Sequence, residues 1–436
     1  MTDNNHQPEV ISFGCRLNHH ESAVLREELA GEDRLILINS CAVTQEAERQ
    51  VKQTIRKKHK HHPDKKIIVT GCAAQIHGED YKKITGVSAV WGNGEKIHAK
   101  KYYQKKQGDI LQVGDIMTLK EMSPHLLSSD RLHTRGFLEI QNGCDHRCSF
   151  CVIPYGRGNS RSHSLQHIIA AATAMLKNGF QEIVLTGVDI ASWRGKHEKE
   201  KLPYLIKKLL TALPNLKRLR LSSLDPAMID DELIGLFASQ NRLLPHIHLS
   251  LQSGCDLILK RMKRRHLRGD IFALAKKLKK ANPNIAFGAD IMAGFPTETD
   301  AMFQDTIDVI KKIPIVFGHV FPYSERPFTP AARIKNKPPI ATRKARAAHL
   351  RKICANNLNI WHRQQYGKTQ HLLIEQVGQY QLTGHNEQFG FVTIPFDKKT
   401  YHKKKYLTAN QIRPIKIVGH NQDGLLATIL DENNSL

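Results

Sequence analysis

The sequence predicts an α/β protein in three parts: an N-terminal parallel α/β sheet domain over residues 1–125, a central partial (β/α)6 barrel over 130–365, and a small antiparallel β-barrel over 366–436. Three observations carry this expectation. Short apolar runs alternate with amphipathic helical stretches through the first two parts, the rhythm of parallel sheets with crossover helices. The last part holds only short β-type runs between turn signals. The chain of 436 residues, 40% hydrophobic and 24% charged, is of ordinary globular composition and long enough for about three domains.

In the first part VISFG, LILIN and KIIVTG read as buried strands, and ESAVLREELA and TQEAERQVKQTIRKKHK as the helices that follow. Cys15 follows the first strand, Cys41 the second and Cys72 the third. The carboxyl ends of parallel strands form one edge, where ligands bind, so three thiols far apart in sequence can meet there. In the second part FLEIQ, EIVLT, LKRLRLS, HIHLSL, IAFGADI and GHVFPYS are the expected strands, and LAKKLKKA is the most evident helix. Six such units suit a partial or full barrel with its active site at the carboxyl edge.

The third part contains QHLLIE, QYQLTG, FGFVTIPF, IRPIKIVG and LLATIL, five runs that suit a barrel of the oligonucleotide-binding kind. Its run KKTYHKKK supplies Lys398, Lys399, Tyr401, Lys403, Lys404 and Lys405. These lysines would grip phosphates while the tyrosine stacks on a base, although a lysine-rich loop is also the ordinary form of a solvated face. Expected linkers lie near 114–130 and 364–369, and no internal repeat or low-complexity tract interrupts the pattern.

A formal net charge of +24 gives the surface a broad positive potential that attracts polyanions, nucleic acid first among them. The opening MTDNNHQPEV lacks the order of a signal peptide, and no apolar run reaches the roughly 18 residues needed to span a bilayer, so a cytoplasmic protein is expected. In that reducing compartment the eight cysteines are not expected to form structural disulfides, and clustered ones are read as metal ligands or catalytic thiols.

The strongest local signal is NGCDHRCSFC, which spaces Cys144, Cys148 and Cys151 as CxxxCxxC directly after the first barrel strand. Three such thiolates can hold three irons of a cubane cluster and leave the fourth open. A zinc site completed by His146 is the alternative, although no second ligand pair is evident. The motifs HExxH and GxSxG and a Walker phosphate loop are all missing.

The motif after a first barrel strand resembles the radical S-adenosylmethionine enzymes, in which the methionine part of the cofactor chelates the open iron. In order along the chain, SFGCRLNHHES, NSCAVTQEAE, TGCAAQ, NGCDHRCSFCVIPYGRGNSRS, LTGVDI, RLSSLDP, HLSLQSG, DIMAGFPTET and FPYSERPFTPAA resemble the blocks of the methylthiotransferases within that superfamily. The likeness extends to the C-terminal part, which is similar to the TRAM RNA-binding domain. It implies two 4Fe-4S clusters and S-adenosyl-L-methionine as cofactors. It further implies that Cys144, Cys148 and Cys151 hold the radical-generating cluster and Cys15, Cys41 and Cys72 an auxiliary cluster, the two facing each other across adjoining modules.

The substrate classes of the family are adenosine 37 of tRNA, bearing a threonylcarbamoyl or an isopentenyl group, and an aspartate of a ribosomal protein. CAVTQEAE and HVFPYSERP resemble the threonylcarbamoyl branch most closely, which implies methylthiolation of carbon 2 of that nucleoside in the tRNA anticodon loop. A rival of another class is a non-catalytic, metal-containing RNA-binding redox sensor.

Thr186, Gly187, Ser222, Ser223, Gln252 and Asp290 sit at or after expected strand ends and are candidates to hydrogen-bond the cofactor, with GFP at 294–296 shaping a close backbone approach. Arg157 and Arg161, beside the cluster loop, are candidates for RNA phosphate or the cofactor carboxylate. Cys255 and Cys354 are expected to be free thiols. Two features depart from the family pattern. The segment between Cys15 and Cys41 is short, and Phe328 stands where relatives carry glycine, which challenges a loop that needs positive φ.

Overall fold

The computed structural model describes residues 7–105, 110–123, 134–396 and 407–430. The first sheet is wholly parallel, in the order β1 (Glu9–Ser12), β2 (Leu35–Ser40), β3 (Lys66–Gly71), β4 (Val87–Trp91), β5 (Leu111–Gln112). The three strands legible in the sequence are its first three; the last two complete it. Helices α1 (Arg16–Glu28), α2 (Gln45–His61), α3 (Cys72–Lys82) and α4 (Ala99–Gln104) cover it. In α2 the Thr44 hydroxyl accepts from the Ala47 amide at 3.1 Å, with Glu46 and Glu48 in the first turn and Lys58 to His61 in the last, so cap and charges both favour the helix.

Leu25 and Leu29 of α1 pack with Leu35, Leu37 and Trp91 on one face, whereas Val51 and Ile55 of α2 and Ala73 and Tyr81 of α3 pack with Ile36, Ile38 and Val69 on the other. The strands advance in a single direction, so the α1 crossover runs over the opposite face, and with the opposite hand, to the next two. The short segment between Cys15 and Cys41 is where this occurs: it holds α1 and one turn, and then enters β2.

All six expected barrel strands form: β6 (Arg135–Asn142), with a short antiparallel β7 (Arg161–Ser162) beside it, then β8 (Glu182–Gly187), β9 (Arg218–Leu221), β10 (His246–Gln252), β11 (Ala286–Ala293) and β12 (Ile315–Pro322). β7-β6-β8-β9 form one sheet and β10-β11-β12 another, joined by parallel bridges Leu219 to Leu243 and Leu224 to Leu249. A short α5 (Ile153–Arg157) follows the cluster loop. Outside the strands lie α6 (Leu165–Lys177), α7 (Leu202–Ala212), α8 (Asp231–Ser239), α9 (Asp256–Arg261), α10 (Arg268–Ala281), α11 (Asp300–Lys312) and α12 (Ile340–Arg363).

Side chains alternate along each strand. Leu138, Ile140, Ile183, Leu185, Leu219, Leu221, Leu249, Leu251, Ala289 and Ile291 join the apolar core beneath the helices. Most of the intervening residues, which face the lumen, are polar: Glu139, Gln141, Glu182, Thr186, Arg218, Arg220, His246, His248 and Asp290. Such a lumen is built to hold a polar ligand rather than to fill itself.

The third part is a closed barrel of β13 (Thr369–Val377), β14 (Gln381–His385), β15 (Phe391–Pro395), β17 (Leu425–Ile429) and β16 (Ile412–His420). It docks on the amino ends of the central strands. Arg218 donates to the carbonyls of His371 (2.6 Å) and His385 (3.3 Å), and Arg220 to those of Glu387 (3.1 Å) and Asn386 (3.2 Å). Both guanidiniums pair with buried Glu182. The run from Lys398 to Lys405 lies outside the described residues. Among the described residues no helix is long and apolar enough to cross a membrane.

Candidate active site

Cys41 and Cys72 stand immediately past the carboxyl ends of β2 and β3, and Cys15 follows that of β1 after Phe13 and Gly14, each at the start of a helix or loop. Gly71 turns the chain out of β3 at φ +95°, and a Cβ there would lie 2.4 Å from the Ser40 carbonyl oxygen. Gly14, at φ +92°, would bring a Cβ within 2.6 Å of Cys41 Sγ. Only glycine admits both the left-handed backbone and this close approach. Cys144 also follows a positive-φ glycine, Gly143. The recurrent Gly-Cys pair was a signal available in the sequence and unused in reading it.

The three N-terminal thiols come together: in Cys41 the pKa is pushed up to about 12 by burial, with the charges of Cys72 and Cys15 adding to the rise. Cys15 is likewise raised by burial and by Cys72. The second trio is equally close. Burial lifts Cys144 and Cys151 to about 12, with neighbouring thiols of their own loop contributing. Thiols that oppose one another's ionisation are a donor set that a cationic cluster relieves.

The cluster loop is pinned from outside. Ser149 donates its amide to the Met262 carbonyl (3.0 Å) and its hydroxyl to that of Arg261 (2.7 Å), and the Ala331 amide donates to the Ser149 carbonyl (2.8 Å).

The trios adjoin. Cys151 is influenced by the charge of Cys72. A Cβ on Gly156, just past the cluster loop, would be 3.1 Å from Cys72 Cβ. Asn93 bridges the modules, donating to the Gly156 carbonyl (2.5 Å) and toward Cys72 Sγ (3.8 Å). Near the other end, Gln45 of α2 donates to the Glu325 carbonyl (3.3 Å), and Glu48 pairs with Arg326.

The sequence reading overlooked Asn93 and also Arg264, whose Nη1 lies 3.5 Å from Cys148 Sγ while Nη2 pairs with Asp225 at 3.1 Å. Neither belongs to a recognisable motif.

Arg157 corrects an expectation. It is 2% exposed and therefore closed to RNA. Its guanidinium bonds Glu21 (2.8 and 3.0 Å), Asn18 (2.5 Å) and Asn142 (3.1 Å), and Lys96 also pairs with Glu21 at 2.7 Å. The group is a charged rivet between α1 and the barrel, beside Cys72 and Cys15, whose charges favour its protonated form. Glu139, buried in the same network, is pushed up to about 7 by desolvation and by Glu21. Arg161 donates to the carbonyls of Glu121, Arg157 and Asn159.

Of the remaining candidates, Thr186 and Gly187 end β8, and the Thr186 hydroxyl donates to the Val184 carbonyl (3.1 Å). Ser222 and Ser223 follow β9, and Gln252 ends β10 at φ 66°. Ser222 Oγ and Gln252 Oε1 are buried with no partner among the described residues, which marks them as atoms awaiting a ligand. Asp290 accepts from His319 (2.8 Å) and faces His248 (3.3 Å).

Gly294 does make a close approach, to Arg343, where a Cβ would lie 2.5 Å from Cγ. His146 lies beside Cys144 and Asp189, all three ligand atoms being within 4.8 Å. Its imidazole pairs with Asp189 at 2.9 Å and contacts the Arg265 guanidinium. Cys255 and Cys354 are buried, free, and outside both trios.

Comparison with known proteins accords with this geometry. Residues 138–310 match the Radical SAM superfamily and residues 8–92 match the Uncharacterized protein family UPF0004. The chain is 46% identical to the threonylcarbamoyladenosine tRNA methylthiotransferase MtaB of Rickettsia prowazekii (strain Madrid E), over 91% of this chain and 92% of that one. It is 32% identical to the tRNA-2-methylthio-N(6)-dimethylallyladenosine synthase of Bartonella henselae (strain ATCC 49882 / DSM 28221 / CCUG 30454 / Houston 1), over 85% and 86%. Among solved structures, the radical S-adenosylmethionine methyltransferase TsrM from Kitasatospora setae superposes with a TM-score of 0.51 at 16% identity, covering 69% of this chain and 66% of that one, a likeness of fold. With its superfamily domain, its second matched domain and a relative alike over nearly its whole length, the chain belongs to the radical SAM methylthiotransferases, enzymes that use 4Fe-4S clusters and S-adenosylmethionine.

Proposed function

We propose that this enzyme adds a methylthio group to carbon 2 of threonylcarbamoyl adenosine at position 37 of tRNA, in the cytoplasm. The observation that carries the reading is the meeting of two open cysteine trios at one seam, in a chain whose 46% identical relative is named for that reaction. Cys144, Cys148 and Cys151 hold the radical-generating cluster and Cys15, Cys41 and Cys72 the auxiliary one. The donor sets fit: each trio offers three thiols, and unpartnered Ser222 Oγ and Gln252 Oε1 suit the polar groups of S-adenosylmethionine.

When bound, the clusters and S-adenosylmethionine supply one-electron chemistry at a C–H bond and the sulfur to be transferred. The chain's residues position and tune. Arg264 and Asn93 hydrogen-bond toward sulfur ligands of opposite trios, an interaction that raises reduction potential. The division of the chain at 1–125, 130–365 and 366–436 gives each cluster its own module and leaves the third for RNA. A surface with +24 net charge draws the tRNA by counterion release, and unpaired anticodon-loop bases are readily unstacked into a recessed site.

Anaerobic reconstitution tests the reading, with about eight irons per chain and deoxyadenosine production expected. Zinc with intact S-adenosylmethionine indicates a redox sensor instead. Cys148→Ala abolishes cofactor cleavage, whereas Cys41→Ala retains part of it and inserts no sulfur; equal loss in both variants refutes the division of roles. Mass spectrometry of tRNA nucleosides from cells lacking the protein decides the substrate. Methylthio-threonylcarbamoyl adenosine disappears if the proposal holds, whereas loss of the isopentenyl counterpart, or loss of an aspartate modification in ribosomal proteins measured in parallel, assigns the enzyme to another branch.

A further inference from the structure

Arg16 follows Cys15 directly, and its side chain reaches from α1 into the lumen of the central barrel. Its guanidinium lies 5.4 Å from the ring centroid of Phe389, which the docked C-terminal barrel presents at the amino end of the lumen. Arg135 and Arg220 approach the same ring at 5.3 and 5.1 Å. The carboxylates nearby are committed elsewhere: Glu182 to Arg218 and Arg220, Glu375 to Arg135 and His385, and Asp290 to His248 and His319.

Among the described residues Arg16 pairs with no carboxylate, yet it remains solvent-accessible. A guanidinium is charged at neutral pH. A solvent-accessible cation in a polar lumen beside two others, with no carboxylate paired to it, is a ready partner for an incoming anionic ligand.

Resting on the proposed substrate, we infer that Arg16 is the specificity-determining residue that binds the carboxylate of the threonylcarbamoyl side chain. The chemistry selects this anion over others. A threonylcarbamoyl group ends in a carboxylate on a slender arm that can enter the lumen, whereas the RNA backbone cannot follow it there. The dimethylallyl group named for the Bartonella relative is apolar and offers such a cation nothing. Arg16 shares a turn with Cys15, so a carboxylate clamped there holds the attached adenine near the auxiliary trio. His319, exposed on the lumen side of Asp290, offers a second polar contact to the same arm.

The test uses the full-length holoenzyme and two anticodon stem-loops that differ at one group: threonylcarbamoyl adenosine with its free carboxylate, or with that carboxylate as the neutral primary carboxamide. Equilibrium binding and kcat/KM are measured for both. Wild type is expected to favour the carboxylate by about 10- to 100-fold, Arg16→Gln to erase that preference, and Arg16→Lys to restore part of it. The preference is a ratio within each variant, so incomplete folding or cluster loading cancels. Equal weakening of both stem-loops by Arg16→Gln places a backbone phosphate on Arg16 and overturns the inference. A raised KM for S-adenosylmethionine with the preference intact overturns it in favour of the cofactor carboxylate. Wild type that modifies only a dimethylallyl stem-loop refutes the substrate reading itself, a result distinct from either.

Discussion

Phe328 holds a left-handed backbone at φ 72° with its side chain 60% exposed. The phenylalanine thus adopts a backbone that glycine takes freely, at a strain of about 1–2 kcal/mol. Ring contact with His77, centroids 6.0 Å apart, gives the side chain a place between the first and second parts. Glu139 is a second residue set against its own preference. Its folded pKa of about 7 exceeds the ordinary 4.5, so the folded state binds its proton more tightly than the unfolded state does. Its contribution is fully present below about pH 4.5 and is lost as pH rises through 7. Glu139→Gln, which keeps the acceptor used by Asn142, is expected to raise the melting temperature at pH 8 and to change it little at pH 5. An equal shift at both pH values shows that desolvation does not govern the group.

At the scale of elements, the strand-to-helix junction is the repeated device. β3 ends in Gly71 and α3 begins in Cys72, so one left-handed residue both stops the strand and aims the thiol. Gly71→Ala is expected to destabilise the chain by at least about 2 kcal/mol, because the new Cβ meets backbone that cannot yield. Reconstituted protein then holds about four irons rather than eight. Retention of full iron shows that the junction tolerates the methyl group. Much of this level was legible beforehand: the apolar runs that form β1 to β3 and the six barrel strands have a period readable in a short window. β4 and β5 were not, since VSAVW is short and only partly buried and the last strand has two residues.

At the scale of the molecule, two smaller modules close the two ends of the central barrel. The N-terminal sheet covers the carboxyl edge of the barrel, and the C-terminal barrel closes the amino edge through Arg218, Arg220 and Glu182. Glu182 is fully buried and pairs with two guanidiniums. Glu182→Gln leaves those charges unpaired and is expected to lower stability by about 3–5 kcal/mol. Hydrogen exchange in β9 and β13 reads the loss; unchanged protection there shows that the carbonyls alone hold the dock.

The order of strands and helices, the cysteines at strand ends and the CxxxCxxC loop follow from the sequence alone, because each is written within a few consecutive residues. Only the tertiary structure decided that Cys72 meets the cluster loop, that Arg157 is a buried rivet rather than an RNA contact, and that Arg16 enters the barrel. These depend on how separately wound sheets pack against one another. No periodicity records such packing, since its contacts join residues far apart in sequence, as between Cys72 and Gly156 or Arg157 and Glu21.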